Sequence, residues 1–456
     1  MSCVVLVTID SLRADHLGSY GYERDTSPVI DSMADRGLSF DAYSNSNWTR
    51  ASFPSIITST YPLEYGGFSY LSENRVTVGE AMKQGGYRTG GLHSNLWLSH
   101  DYNYDRGFDH FYDTKSDPGA LSRLRTYVKQ QMNHDSLFYR GLQWLYDTTE
   151  EQIGVDVGQT YRDGETITDR TIEWLSTNQG EDVFCWIHYM DVHHPYLPHD
   201  QDARDLGLDL DISEREAVKL RRKMLEQPDK LSDEELQQLL DLYDAEIRYM
   251  DRQIGRLRDA VHDQFGPEET AFVVTSDHGE EFGDHGGFSH NPSLYDEVLN
   301  VPIVVDAGDE FDVPDATGKQ PETLELLDIP PTVCDLGGVD VPENYRGRSA
   351  LDAVGSGVSC ELYSETQSGD DYKICRRFDG WKLIWDRSTG EQELYDLRAD
   401  PDERENVSGD NPTVVEEYED AIRDHLSAVR ETNEDLPTVE MDAGTEERLK
   451  DLGYLE

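Results

Sequence analysis

The chain has 456 residues, 36% of them apolar, and sets 93 acidic residues against 40 basic ones for a formal charge of −53. That length and apolar content suffice for one large core and a smaller one, so two domains are expected. The charge excludes nucleic acid and anionic membrane surfaces as partners, because both are themselves negative.

The run Cys3-Val4-Val5-Leu6-Val7-Thr8-Ile9 reads as a buried strand ending at Asp10. Ser27-Pro28 gives an N-cap and a first-turn proline to a helix with Ile30, Met33 and Ala34 inward, stopped by Gly37. Pro54 is tolerable only near the start of a helix, which places Thr49 just before a helix amino end. Free backbone N–H groups there attract an anion. Another helix is predicted over roughly 77–84, ending at Gly85-Gly86. Residues 113–162 carry no strand signal and read as helices and loops inserted over one sheet edge.

A helix near 165–178 feeds a strand over Val183–Tyr189, which opens into Asp191-Val192-His193-His194-Pro195-Tyr196. Residues 200–232 form a second, highly charged insertion, in which Lys219, Arg221, Arg222 and Lys223 are read as a solvated helix face in preference to an anion-steering one. The clearest helix runs over roughly 233–262, where Leu236, Leu240, Tyr243, Ile247, Met250, Ile254, Leu257 and Val261 recur by threes and fours. It leads to the strand Ala271-Phe272-Val273-Val274-Thr275-Ser276, which ends in Asp277-His278-Gly279-Glu280; a further strand, Val301–Val305, follows His290. This β-α-β alternation implies a mostly parallel sheet with right-handed crossovers. Beyond about 355, Tyr372–Cys375, Trp381–Trp385 and Glu393–Leu397 read as an antiparallel meander, with one helix near 412–430. The expected fold class is therefore α/β: a large, mostly parallel mixed sheet flanked by helices over residues 1–355, then a small antiparallel α+β domain over 356–456.

Three of these strands end in ligand-type residues: Asp10, the Asp191/His193 pair, and Asp277-His278. An adjacent Asp and His offer one hard oxygen and one imidazole nitrogen, a set that suits a divalent cation. Singly, each would cap a turn. Jointly, and with Thr49 at a helix start, they point to a metal site at the carboxyl edge of the sheet.

In order and spacing, several segments resemble the sulfatase family of the alkaline phosphatase superfamily: Thr8 through Asp15, Thr49 through Pro62, Asp191 through Tyr196, Tyr249 through Gly255, Asp277 through Glu280, Ile329 through Thr332, and Glu393 through Leu397 with Asp400-Pro401, Glu403 and Asn406. The ending Leu449–Tyr454 is similar to the family's carboxyl-terminal signature. The resemblance implies that Asp10, Asp277, His278 and Thr49 hold one divalent metal ion. It also implies that Thr49 takes the nucleophile's place, that His193 contacts the ester and assists the leaving group, and that His290 is a second substrate-side residue. Arg50 and Asn95 are candidate substrate contacts; Asn95 reads equally well as a turn residue.

Departures from the family pattern are informative. Typical sulfatases carry Cys or Ser followed by x-Pro-x-Arg and oxidise the first residue to formylglycine; here the run is Thr49-Arg50-Ala51-Ser52-Phe53. Oxidised threonine would be a ketone, so no formylglycine is expected and an alkoxide would attack in its place, forming a sulfo- or phospho-threonine. Ser11 stands where many sulfatases place a second Asp, which moves the expected ion from Ca²⁺ or Mg²⁺ toward Mn²⁺ or Zn²⁺. The function implied is metal-dependent hydrolysis of a sulfate ester, or a phosphate mono- or diester, of a small molecule or glycan. Transfer of the group to a glycan or polyol headgroup and a non-catalytic anion-binding role are the alternatives.

Five scattered cysteines without C-x-x-C spacing favour reduced, buried thiols. No apolar run approaches the ~20 residues of a membrane span, and no basic leader precedes the first strand, so a cytoplasmic location is expected; oligomeric state is left open. Only ten of the forty basic residues are lysines, and the acids are spread over the whole length. This composition is the one expected of a protein adapted to molar salt, which cuts the Debye length to roughly 3 Å and screens self-repulsion, and the family type it resembles is the halophilic archaeal one. Thermal unfolding in dilute buffer should therefore occur well below that in molar KCl; equal midpoints in the two would remove the halophilic reading.

Overall fold

The computed structural model describes residues 1–113, 161–290, 292–358, 360–368 and 371–439. The insertion expected over 113–162 falls almost wholly outside these residues, as does Leu449–Tyr454.

The first half of the chain runs β1 (Cys3–Ile9), α1 (Pro28–Arg36), β2 (Leu38–Tyr43), α2 (Thr49–Thr58), α3 (Val78–Gln84), β3 (Arg88–His93) and β4 (His110–Tyr112). After the insertion come α4 (Gly164–Ser176), β5 (Val183–Tyr189), α5 (Asp200–Asp205), α6 (Glu214–Glu226), α7 (Asp233–Phe265) and β6 (Thr270–Ser276). The short pair β7 (Glu281–Phe282) and β8 (Phe288–Ser289) precedes β9 (Asn300–Ala307), β10 (Gly318–Glu325) and α8 (Ile329–Leu336). The chain then forms β11 (Leu362–Ser368), β12 (Asp371–Phe378), β13 (Trp381–Asp386), β14 (Gln392–Asp396) and α9 (Pro412–Glu431).

Eight strands form one sheet in the order β10-β2-β9-β6-β1-β5-β3-β4. Only β9 runs against its neighbours, β2 and β6; the other pairings are parallel. The sheet is mixed and mostly parallel, as the β-α-β alternation predicts. β1 is buried along its whole length, and its residues alternate between the two faces. Val5, Val7 and Ile9 pack with Ile30 of α1, Ile167 of α4 and Ile254 of α7; Val4 and Leu6 pack with Phe53 and Ile57 of α2 and Val78 of α3. Each such buried side chain contributes about 1.5–3 kcal/mol by leaving water, which is why this strand is apolar on both sides.

Caps set the helix limits. Ser232 and Glu235 form a capping box at the start of α7, and Thr77 and Glu80 do the same for α3. The four strands β11–β14 make a separate antiparallel meander, over which Tyr418, Ile422 and Leu426 of α9 pack on Ile374, Leu383 and Leu394. The first of these strands, Leu362–Ser368, has no apolar run in the sequence.

Register brings together the three strands that end in ligand-type residues. Ile9 pairs with Tyr189 of β5 and Ser276 of β6, so Asp10 and Asp277 emerge side by side at the same edge. The loop after β5 is held down by α7: Leu197 N–H donates to Glu246 Oε1 at 2.6 Å, and His199 Nε2 lies 2.8 Å from Glu246 Oε2, its ring stacked on Tyr249. The solvated-face expectation for α6 holds for Lys219 and Arg222, which are exposed, while Lys223 pairs with Glu235. Arg221 instead turns inward to His194.

Burial alone would lower the pKa of His199, but the Glu246 carboxylate outweighs it and lifts the imidazole to about 9 from 6.5. A histidine raised in the folded state stabilises fully below 6.5, and that contribution is lost as pH climbs through 9. The thermal midpoint should thus fall over this window in the wild type and fall less in His199→Gln. Parallel pH profiles of the two proteins would refute the pairing.

Candidate active site

The ligand atoms of Asp10, Asp277 and His278 lie within 4.8 Å of one another, all three residues fully buried. Gly279 follows because its backbone passes against that of Glu297: a Cβ would stand 2.1 Å from the Glu297 carbonyl oxygen. Ser11, in the left-handed region at φ 58°, ties both carboxylates: its N–H donates to Asp277 Oδ1 at 3.2 Å and its hydroxyl to Asp10 Oδ1 at 3.0 Å. Thr49 is the first residue of α2. Its Oγ1 lies 3.2 Å from Asp10 Oδ2 and 3.3 Å from His278 Nε2, and the opening amides of α2 lie outside the helical ladder.

Hydrogen bonds fix the tautomers. His278 Nδ1 faces the Gly279 carbonyl at 2.7 Å and must donate, so Nε2, toward Thr49, carries the lone pair. His193 Nδ1 likewise donates to the His194 carbonyl at 2.6 Å, leaving the Nε2 lone pair. Burial pulls His193 down to about 3 and His278 to about 4. Burial pushes both carboxyls up; for Asp10 this is outweighed by His193, His188 and His278, which hold it well below the usual carboxylate range. Asp277 is driven to about 8 by burial and by the charge of Asp10. Two adjacent buried carboxylates do not both ionise without a compensating cation, and two carboxylate oxygens, an imidazole lone pair and a hydroxyl are a donor set that a divalent ion takes.

A second group, His193, His194 and His290, brings its ring nitrogens within 4.8 Å. The His290 ring lies 5.2 Å from that of His193 and 5.0 Å from that of His278. Burial would lower His290, but Glu280, with Oε1 3.8 Å from Nδ1, leads the groups that raise it. The structure therefore gathers Asp10, Thr49, Asp277, His278, His193 and His290.

Asn95 stands on Asp10: its Nδ2 donates to Asp10 Oδ2 at 3.3 Å while its Oδ1 accepts from Trp97 N–H, so it is both donor and turn residue. Arg50 lays its guanidinium over Trp97 at 4.1 Å and donates to the Ser69 carbonyl. Asp191 belongs to neither of these two clusters; its Oδ1 accepts the Gly164 N–H at the start of α4. Sequence reasoning missed His188, whose Nε2 lies 3.3 Å from Asp10 Oδ2. The signal was present as a lone imidazole in an otherwise apolar strand.

A family model described as Sulfatase matches residues 2–339. The chain belongs to the sulfatase family. With membership comes the reaction class expected from the sequence, ester hydrolysis. A model described as N-sulphoglucosamine sulphohydrolase, C-terminal, matches residues 283–432. The chain is 25% identical to an arylsulfatase of Clostridium perfringens, over 93% of each protein. Among solved structures, a protein in complex with its substrate D-glucosamine-2-N,6-O-disulfate superposes with a TM-score of 0.70 at 18% identity, covering 94% of this chain and 98% of that one. The phosphonate monoester hydrolase of Agrobacterium radiobacter gives 0.68 at 18% identity, covering 94% and 95%. These last two likenesses establish the fold. No helix among the described residues is long and apolar enough to cross a membrane.

Asp277→Asn should lower affinity for the divalent ion by on the order of 10- to 100-fold or more. Metal content of the purified protein, measured by mass spectrometry, checks this; unchanged stoichiometry would remove Asp277 from the ligand set.

Proposed function

We propose that this sulfatase-family protein hydrolyses a sulfate or phosphate ester of a small molecule or glycan through Thr49. The observation that carries the reading is the Thr49 hydroxyl, set at a helix amino end within 3.3 Å of both Asp10 and His278. Asp10, Asp277, His278 and Thr49 would hold one divalent ion, with Mn²⁺ or Zn²⁺ ahead of Ca²⁺ or Mg²⁺. When bound, such an ion neutralises the anionic ester and makes the hydroxyl more acidic. Support for a glycan sulfate comes from the substrate of the disulfated-glucosamine relative, and support for a phosphorus ester from the phosphonate monoester hydrolase.

The Thr49 hydroxyl gives up its proton to solvent, its oxygen attacks the sulfur or phosphorus in line, the bond to the departing alcohol breaks, and a sulfo- or phospho-threonine forms. The two histidines divide the proton work. His193 is neutral with its proton committed on Nδ1, so its Nε2 accepts; Glu280, which raises His290, favours its imidazolium, whose proton opposite the Glu280-held Nδ1 is the one to give. The leaving-group proton is therefore assigned to His290 rather than to His193. His193 then takes the proton of the water that attacks the adduct and returns it to the Thr49 oxygen as that bond breaks, while His290 regains its proton from solvent. Asn95 holds Asp10 in place, and the α2 amides receive the charge on the ester oxygens.

Thr49→Ala should lose turnover by about 10³-fold or more while keeping its metal, whereas Thr49→Ser should retain part of it. The assay pairs an aryl sulfate, an aryl phosphate, a bis-aryl phosphodiester and an aryl phosphonate in molar KCl, each with the four ions in turn. Full activity in the Ala variant would rule out Thr49 as nucleophile. Metal binding with no turnover of any ester would favour the anion-binding alternative.

A further inference from the structure

Ser289 sits in the left-handed region at φ 68°, where a non-glycine residue is strained, and it is 7% exposed. It ends β8, paired through Glu281 to β7. Its hydroxyl oxygen is placed between two rings, 2.9 Å from His194 Nε2 and 3.2 Å from His290 Nδ1. The His194 and His290 rings lie parallel within 13°, their centres 5.7 Å apart. On its other side His194 is met by Arg221 of α6, whose Nε lies 3.3 Å from His194 Nδ1.

The direction of each bond follows from donor inventory. A guanidinium Nε–H only donates, so His194 Nδ1 accepts and the His194 proton is on Nε2. There it is donated to Ser289 Oγ. Both ring nitrogens of His194 are thereby committed, which removes it from any metal set with His193 and His290. Ser289 Oγ and the Glu280 carboxylate both face His290 Nδ1 as acceptors and hold one proton there, so the proton His290 gives up is the second one, on Nε2 of its imidazolium.

We propose that Arg221, His194 and Ser289 are positioning residues for His290, acting as one hydrogen-bonded chain from α6 to the substrate side. The inference rests on the reading of His290 as a substrate-side proton donor. The strain at Ser289 is the structural counterpart of this role: the backbone is held in a conformation unfavourable to serine so that one oxygen reaches both rings.

Ser289→Gly separates the roles, since glycine suits φ 68° and removes the small side chain that carries the hydroxyl. If Ser289 positions His290, this variant is at least as heat-stable as the wild type and keeps its metal, yet its kcat falls on the order of 10- to 100-fold with KM little changed. Arg221→Ala should lower kcat similarly, and the double variant should be no worse than the poorer single one, because the three act as a unit. Wild-type kcat in Ser289→Gly, or additive losses in the double variant, would overturn the proposal. A readout without turnover distinguishes its failure from failure of the functional reading. In ¹⁵N-histidine spectra of the resting protein, His194 should show its proton on Nε2 and His290 on Nδ1, and Ser289→Gly should disturb both. An enzyme inactive on every ester but showing this pattern would refute the function and retain the relay. The opposite tautomer at His194 would refute the relay whatever the activity.

Discussion

Two carboxylates emerge side by side from the carboxyl ends of β1 and β6 with no exposure to water, and much of the site is arranged around that fact. Parallel pairing in register forces Asp10 and Asp277 together. Like charges at this distance are costly in a medium of low dielectric, so the pair calls for a cation. Ser11, Asn95, His188 and Thr49 are the donors and rings that crowd around it. Each fixes a carboxylate oxygen, and together they leave the pair little rotational freedom.

Around this pair the histidines have been given different identities by backbone carbonyls and neighbouring side chains. His278 and His193 each lose an Nδ1 proton donor to a carbonyl and thus present a lone pair at Nε2. His290 is held from the other side by Ser289 and Glu280, and Glu280 is itself fixed by the Tyr196 hydroxyl. In the mechanism proposed above, a single type of side chain thus supplies a ligand, an acceptor and a donor within one small volume. Their roles follow from second partners, not from distance to the metal ligands alone.

The carboxyl-terminal sheet contributes by clamping the loop that bears Ser289 and His290. Lys382 of β13 is buried and pairs with Asp296 and Glu403 at 2.7 and 2.6 Å, while Arg377 of β12 also meets Asp296. The Glu403 carbonyl accepts from His285, and Arg404 donates to the Asp284 carbonyl. Tyr43, Leu294, Val298 and Leu299 of the large-sheet unit pack on Leu362, Cys375 and Ile384 of the meander. Removing one partner of such a buried ionic network leaves a charge uncompensated, so the network fixes the docking geometry even where its net stabilisation is small.

The sequence determined the strands β1, β5 and β6 and the long helix α7, and it singled out Asp10, Thr49, Asp277 and His278, which the fold brings together, because buried parallel strands read as continuous apolar runs and their ends read as abrupt polar breaks. It also gave the C-terminal meander, apart from its first strand. β3, with two glycines in six residues, and β10, with a polar Gly-Lys-Gln-Pro-Glu start, were illegible, since their strand character comes from pairing with neighbours rather than from propensity. Nor did residue type reveal that Asp191 anchors α4, that His188 supports Asp10, or that Arg221 turns in to His194 rather than facing solvent. Those outcomes depend on which atoms of residues tens to hundreds of positions apart meet, and hence on which lone pairs and protons are already committed. Local sequence carries propensity and burial; the commitment of each hydrogen-bonding atom was decided only when the tertiary structure brought its partner.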